Sequence, residues 1–482
     1  MLESFYNDSY WIAQFLIQRG VGLSYLIAFL VALNQFKPLV GENGLYPVRR
    51  FLERIPFKKS PSIFYWKYSD SFFTIIAWTG IFLSLLAVLG ISDMGPIWVS
   101  ILIWLLLWVL YQSIVNVGQL FWGYGWESLL LEAGFYVIFL GPLQYEASIF
   151  VIFMLRWLVF RVEFGAGLIK MRGDSCWRKL TCMNHHHETQ PMPNPLSWLF
   201  HNLPEGYHKF ETLGNHFVQL IAVWFLFFPQ PLASIAALLV MGSQFYLIVS
   251  GNYSWLNWMT LVLATSGLSD SFLQSILSIS VPTVATTPIW FWIVTIVFAV
   301  AVIWMSRGPV MNMISPSQKM NFSFNPIHLV NTYGAFGSVT KQRNEIVIEG
   351  TTDEEITDQT KWEAYEFKGK PTDPSKMPPQ IAPYHFRLDW QMWFAAMRGI
   401  RNSPWLIKLI KRFLQDDKPT LKLIKKNPFE EEPPTYIRAR LFQYEFTDFK
   451  EKRETENWWK RQFVAMYLNP FTLEDLHFVL KI

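Results

Sequence analysis

The stretch Arg156–His216, RWLVFRVEFGAGLIKMRGDSCWRKLTCMNHHHETQPMPNPLSWLFHNLPEGYHKFETLGNH, decides how this chain is read. It begins as an apolar helix crossed by charges and then breaks into a segment dense in His, Pro and Asn. Charge is costly inside a bilayer, so Arg156, Arg161, Glu163 and Lys170 call for partners, a wet cavity or a chemical task. Arg156, Glu163 and Lys170 follow one another at steps of seven residues. At about 100° per residue such a step returns to nearly the same helix face, so the three form one stripe, with Gly167 on it.

Composition places that helix in a membrane. The 482 residues are 51% hydrophobic, 17% aromatic and only 16% charged, against roughly 25% charged in a typical soluble protein. A formal charge of +4 is too small for this length to indicate nucleic-acid binding. The lipid bilayer is the expected environment, and the first apolar run is long enough to remain as a span rather than be removed as a signal.

Working outward, apolar segments near the length needed to cross about 30 Å of hydrocarbon lie at Trp11–Phe36, Ser71–Ile91, Pro96–Val115, Trp126–Leu140 and Ala147–Met171, then at His216–Phe228, Leu232–Val249, Leu256–Leu268 and Pro288–Met305. About nine transmembrane or membrane-embedded helices are expected, of which Trp126–Leu140 and Leu256–Leu268 are short and suited to burial within the bundle. Gln14, Gln18, Tyr25 and Arg19 mark a polar side of the first helix that should face the bundle interior. Glu132, about two turns into WESLLLEAGF, requires a buried partner, with Arg156, Arg161 and Lys170 as candidates.

Composition changes after Met305. The chain divides into a helical bundle over residues 1–306, a linking region over 307–344 and a β-rich, sandwich-like, water-facing domain over 345–482. Glu345–Glu349, Glu363–Phe367 and Thr435–Phe446 carry β-branched and aromatic residues with partial alternation and read as strands. Leu388–Arg398 and Trp405–Phe413 read as helices, the second basic and amphipathic and expected to dock on the bundle. Tyr384, Trp390, Trp393, Trp458 and Trp459 suit either a hydrophobic core or a surface that receives another protein.

Two chemistries compete for the charged stripe. In an enzyme, Arg156, Glu163 and Lys170 are the candidate catalytic residues, Lys170 acting as a base in a low-dielectric site capped by Asn184–Glu188. In a scaffold, Lys170 pairs or reaches the interface. Three consecutive histidines, His185–His187, do not easily converge on one ion and HExxH is absent, so no metal is expected. No phosphate loop, dinucleotide fingerprint or nucleophile elbow occurs, so no cofactor is expected. Cys176 and Cys182, six positions apart, suit a disulfide or two free thiols. Asn7, Asn252 and Asn321 lie in N-x-Ser sequons.

Several phrases together resemble the lipase maturation factor family: QRGVGLSYLIAFLVALNQFKPLVGENGLYPV (Gln18–Val48), WESLLLEAGF (Trp126–Phe135), HHHETQPMPNPLSW in the opening stretch, VNTYGAFGSVTKQRNEIVIEGT (Val330–Thr351), WEAYEFKGKP (Trp362–Pro371), APYHFRLDWQMWFAAM (Ala382–Met397) and WWKRQFVAMYL (Trp458–Leu468). The resemblance implies a multi-pass membrane protein, of the endoplasmic reticulum in a eukaryote and of the inner or plasma membrane in a bacterium. Its exoplasmic C-terminal domain would help secreted client proteins, lipases in the family, to fold, assemble and leave. A shorter segment, GAGLIKMRGDSCW (Gly165–Trp177), is similar to part of the vitamin K-dependent carboxylase, where the matching lysine is the base. That similarity singles out Lys170, although the carboxylase's neighbouring second lysine is Ile169 here.

The basic loop Lys37–Asp70 argues for a cytoplasmic location by the positive-inside rule. Nine crossings would put the C-terminal region and the Arg172–Lys179 loop on that same side. The family resemblance puts them outside.

Overall fold

The computed structural model describes residues 8–475, so the Asn7 sequon lies outside the described residues. Among the described residues six helices are long and apolar enough to cross a membrane: Trp11–Val40, Asp70–Val88, Ile97–Val117, Glu205–Phe227, Leu232–Ser250 and Ile289–Ile314. In chain order the main helices are α1 (Trp11–Val40), α2 (Asp70–Val88), α3 (Ile97–Val117), α4 (Gly125–Val137), α5 (Ile149–Arg172), α6 (Met183–Thr189), α7 (Glu205–Leu220), α8 (Leu232–Ser250), α9 (Leu256–Ala264) and α10 (Ile289–Met305). Helix α5, the charged one, has 24 residues and at 1.5 Å per residue spans about 36 Å, enough to cross.

The helix starts follow local chemistry. Ser69 caps α2 by accepting from the Phe72 amide, and Pro96 and Pro288 precede α3 and α10, where a fixed φ and a missing N–H suit a helix start. The two short apolar segments are the buried pair foreseen from their length: α4 and α9 have 13 and 9 residues and sit against α1, α5 and each other. Gly134 of α4 has no room for a methyl group, because a Cβ there would fall 2.0 Å from the Tyr25 hydroxyl of α1. The polar side of α1 does face inward. Gln14 and Gln18 donate to the Gly141 carbonyl at 3.0 and 2.5 Å, and Arg19 pairs with Asp93.

The C-terminal region is built on β1 (Arg343–Thr351), β2 (Glu363–Ala364), β3 (Tyr436–Phe446) and β4 (Trp459–Phe471), with helices α11 (Arg387–Arg398) and α12 (Pro404–Leu414) between β2 and β3. The strands form one antiparallel sheet in the order β2-β1-β3-β4. Ile346 lies opposite Leu441 and Ile348 opposite Ala439 in the β1–β3 register, and Phe446 lies opposite Trp459 where β3 meets β4.

The sandwich-like arrangement is corrected here. Among the described residues a single sheet is covered by helices, because the long insert between β2 and β3 supplies two apolar helix faces rather than more strands. On α12, Leu406, Leu409, Ile410 and Phe413 are buried, and Phe413 stacks on Tyr365 with ring centroids 4.5 Å apart. The basic side of α12 docks as expected: Lys408 Nζ donates to the Leu45 carbonyl at 3.2 Å, and Arg412 donates to the Asn43 carbonyl.

Three features therefore share one end of the bundle. The basic first loop meets α12, the sheet meets the segment after α5, and β1 begins beside it. Arg343 donates to the carbonyls of Glu188, Gln190 and Pro191, while Trp198 Nε1 donates to the Thr447 carbonyl at 2.6 Å. Asn252, which lies in a sequon, is only 1% exposed. Its Oδ1 accepts from the Ile381 and Ala382 amides, both at 2.8 Å, so its task is to hold the C-terminal region to the bundle.

Candidate functional site

The stripe on α5 exists as one face, packed against α7, the 3-10 turn Ala222–Phe227 and α9. Gly167 permits the close approach, since a Cβ there would meet Leu220 Cδ2 at 2.7 Å and Gln219 Cβ at 3.0 Å. The structure nonetheless separates the three charges into two groups.

Arg156 stands alone. Its Nε donates to the Ser266 carbonyl at 2.9 Å and its Nη1 to the Leu226 carbonyl at 3.1 Å. Both carbonyls lie in or beside 3-10 turns, where regular i to i+4 bonding lapses and backbone acceptors are left over. The Tyr10 and Phe153 rings cover the guanidinium at 5.1 and 4.9 Å. Arg156 thus ties two irregular turns into the bundle, far along the helix from Lys170.

Glu163 and Lys170 are brought together, through an intermediary. Lys170 Nζ donates to Asn215 Oδ1 at 2.6 Å and to Gln219 Oε1 at 3.0 Å. Glu163 accepts from Gln244 Nε2 at 2.5 Å, with the Gln219 side chain beside it. Gln219, on α7, therefore holds the cation and stands next to the anion. The Trp177 ring lies 4.9 Å from the Lys170 ammonium, and Glu163 Oε2 is buried without a hydrogen-bond partner. Of the neutral members of this group, sequence reading found none. Gln219 and Asn215 lie four residues apart on α7, a spacing that puts both on one helix side.

The partner of Glu132 is Arg161, which is off the stripe. The two form a buried ion pair. The same carboxylate accepts from the Tyr136 and Tyr333 hydroxyls, each at 2.8 Å, and from the Asn331 amide at 2.9 Å. Arg161 also donates to the Asn331 carbonyl at 2.6 Å. This network joins α4 and α5 to the segment that leads to the sheet. Glu127 pairs instead with Arg387 of α11 at 2.8 Å.

The NHHHE segment, read as a loop, is the short helix α6. That geometry turns His186 and His187 inward and leaves His185 half-buried. His186 Nε2 meets the Tyr253 hydroxyl at 2.9 Å, and burial, with His187 and Lys170 adding repulsion, lowers its pKa to about 3. Glu188 accepts from the Phe446 amide at 2.6 Å, and burial raises its pKa to about 7. His187 faces Glu211 of α7 at 2.9 Å, with His208 on the following side. The sequence carried the signal for this last group as His208-x-x-Glu211, an i, i+3 pair on one helix face. Cys176 and Cys182 are joined in a disulfide, with Cα atoms 4.8 Å apart, which resolves the two readings of that pair.

Fold and site together define a polytopic helical membrane protein whose C-terminal sheet domain is fastened to one end of the bundle by a buried ion pair and backbone-directed hydrogen bonds. The family model for the lipase maturation factor transmembrane domain matches residues 12–275, and that for the lipase maturation factor C-terminal domain matches residues 329–469. The chain belongs to the lipase maturation factor family. It is 39% identical to Lipase maturation factor 1 of Mus musculus over 98% of this chain and 89% of that protein. It is also 39% identical to the Homo sapiens protein of that name, over 98% and 90%. Lipase maturation factor 2 of Xenopus laevis is 28% identical over 95% of this chain and 82% of its own length. No solved structure matches. These relatives lend nothing to the carboxylase-like reading.

Proposed function

We propose that this protein is a membrane scaffold that holds secreted lipases while they mature, placed in the endoplasmic reticulum membrane of a eukaryote with its sheet domain on the exoplasmic side. The names of its relatives supply the client class. The observation that carries the client-holding part of the reading is strand β4.

With 13 residues it is long for a strand, it is the outer strand of the sheet, and Phe463, Val464 and Met466 on it are 47, 48 and 40% exposed. An open edge of this length offers unpaired backbone donors and acceptors to an extended segment of another chain. Lys460 and Arg461 at its start are suited to keep copies of the protein from pairing edge to edge. A domain seated rigidly on the bundle presents this edge at a fixed height above the membrane.

The disulfide supports the exoplasmic placement, because such bonds persist in oxidising compartments and are rare in the cytosol. It outweighs the basic first loop, whose cations Lys408 and Arg412 join at the same surface. The stripe fits the scaffold as well: the Lys170 ammonium is engaged by two side-chain carbonyls and an aromatic ring, an arrangement that holds a structural cation in place.

The test is complementation. In cells lacking their own maturation factor, the wild-type chain restores secretion of active lipase, and a photo-crosslinker at position 464 captures the client. Val464→Lys at normal abundance is expected to lower secreted lipase activity severalfold. Full activity together with no crosslink at position 464 would remove β4 from the proposal, and a chain that fails to restore any lipase would remove the function.

A further inference from the structure

We propose that His187, His208 and Glu211 form a binding site for a divalent transition-metal ion of the zinc type, which fastens helix α6 to helix α7. One ligand atom from each of the three residues lies within 4.8 Å of the others. His187 Nε2 is 2.9 Å from Glu211 Oε1, and His208 Nδ1 is 3.6 Å from Glu211 Oε2.

His187 and His208 are 1 and 3% exposed, yet Nδ1 of each lacks a hydrogen-bond partner. Buried polar atoms in native structures are nearly always satisfied. Of the two, His208 Nδ1 faces Glu211 directly, and His187 turns its Nε2 to the same carboxylate, so an ion among the three would satisfy His208 Nδ1 and take the place of the direct His187–Glu211 contact. The surroundings hold the donors in place: Phe200 stacks on the His187 ring at 5.5 Å, and the His187 and His208 ring centroids are 5.8 Å apart.

The donor set selects the metal. Two imidazoles and one carboxylate match zinc with a fourth position left for water, whereas magnesium and calcium favour all-oxygen shells. Metal–nitrogen and metal–oxygen bonds of about 2.0–2.2 Å require the three groups to draw together slightly. Tyr246 on α8 supplies an outer partner, its hydroxyl donating to Glu211 Oε2 at 3.0 Å, the kind of contact that orients a ligating carboxylate.

The placement gives the ion a structural consequence. Helix α6 carries Glu188, whose carboxylate holds the Phe446 amide at the end of β3. Fixing α6 on α7 therefore fixes the seat of the C-terminal sheet on the membrane bundle.

The test uses the full chain in detergent, purified through a tag without histidine, stripped with chelator and titrated with Zn(II) or Co(II). One ion per chain, a tetrahedral-type Co(II) absorption and a rise in thermal midpoint on Zn(II) addition are expected. Glu211→Gln, which keeps the side-chain shape but offers one oxygen acceptor in place of two, is expected to weaken binding by more than about a hundredfold, and Tyr246→Phe by about tenfold. His185→Ala is expected to leave binding unchanged. The proposal is overturned if the stripped wild-type chain takes up no stoichiometric ion, or if His185→Ala abolishes uptake and Glu211→Gln does not, which would assign the metal to the consecutive histidines.

Discussion

Glu127 in the membrane bundle and Arg387 in the C-terminal domain form an ion pair at 2.8 Å in which both side chains are completely buried. Tyr111 donates to the other carboxylate oxygen at 2.5 Å, Arg387 donates to the Phe121 carbonyl at 2.7 Å, and the Trp122 ring covers the guanidinium at 4.0 Å. Removing one partner leaves an uncompensated buried charge, which costs about 3–5 kcal/mol, whereas replacing both with apolar groups of similar volume is often close to neutral. Arg387→Met is therefore expected to lower the thermal midpoint and expose the C-terminal domain to limited proteolysis. Glu127→Leu combined with Arg387→Met is expected to recover most of the loss, and a double variant no better than the worse single one would show that the pair is not the contact holding the domain.

Lys170 separates scaffold from enzyme. Replacing it with methionine leaves Asn215 and Gln219 without their shared donor, at a cost of about 1–3 kcal/mol. Abundance should fall modestly while lipase maturation per molecule stays near the wild-type level. The informative measurement is secreted lipase activity normalised to the amount of the variant in the membrane. A loss of more than tenfold at unchanged abundance would argue for chemistry at Lys170.

The periodic part of this arrangement was legible and the partner choice was not. Steps of seven residues place Arg156, Glu163 and Lys170 on one face whatever lies opposite, and the structure keeps that face. Which neighbours meet it depends on Leu226, Ser266, Gln219 and Gln244, all contributed by later segments whose distance in sequence carries no local signal. Glu132 chose Arg161 because the Asn331–Tyr333 segment closes over that pair. Strands β1 and β3 could be read because their β-branched and aromatic runs are bounded by turns. Strand β4 was missed because KRQFVAM lacks alternation, and the structure gives the reason: residues 460–466 are exposed on both faces.

The Cys176–Cys182 disulfide yields a test of orientation. In intact vesicles whose cytosolic face is outward, both sulfurs should resist a membrane-impermeant maleimide even after a permeant reductant opens the bridge, and react once the membrane is also permeabilised. Cys176→Ser is expected to cost no more than about 2 kcal/mol, because the bridge closes a short loop and removes little chain entropy. Labelling from the cytosolic side before permeabilisation would place this loop, and the sheet domain on the same end, inside.

Asp389, fully buried, and His328, half-buried, lie outside the spans and should give opposite pH responses. Burial raises the Asp389 carboxyl to about 6, despite amide donors from Gly369 and Lys370 at 2.6 and 3.1 Å. With an unfolded value near 3.8, the native state holds the extra proton between these limits. Its contribution is therefore complete below about pH 4 and is lost as pH rises through 6. Burial lowers His328 to about 4 from 6.5, where its ring nitrogens meet Ser128 Oγ at 3.0 Å and Asn116 Oδ1 at 2.9 Å. Its contribution is present above pH 6.5 and is lost as pH falls through 4. Asp389→Asn, which keeps an oxygen for the two amides, should stabilise the protein at pH 7 by up to about 3 kcal/mol and leave stability at pH 4 nearly unchanged. Denaturant unfolding in detergent from pH 4 to 7.5 measures the difference. A gain from Asp389→Asn that does not vary across that range would mean the carboxyl carries no shifted pKa, and a His328→Gln variant that keeps the wild-type loss of stability on acidification would remove His328 as its source.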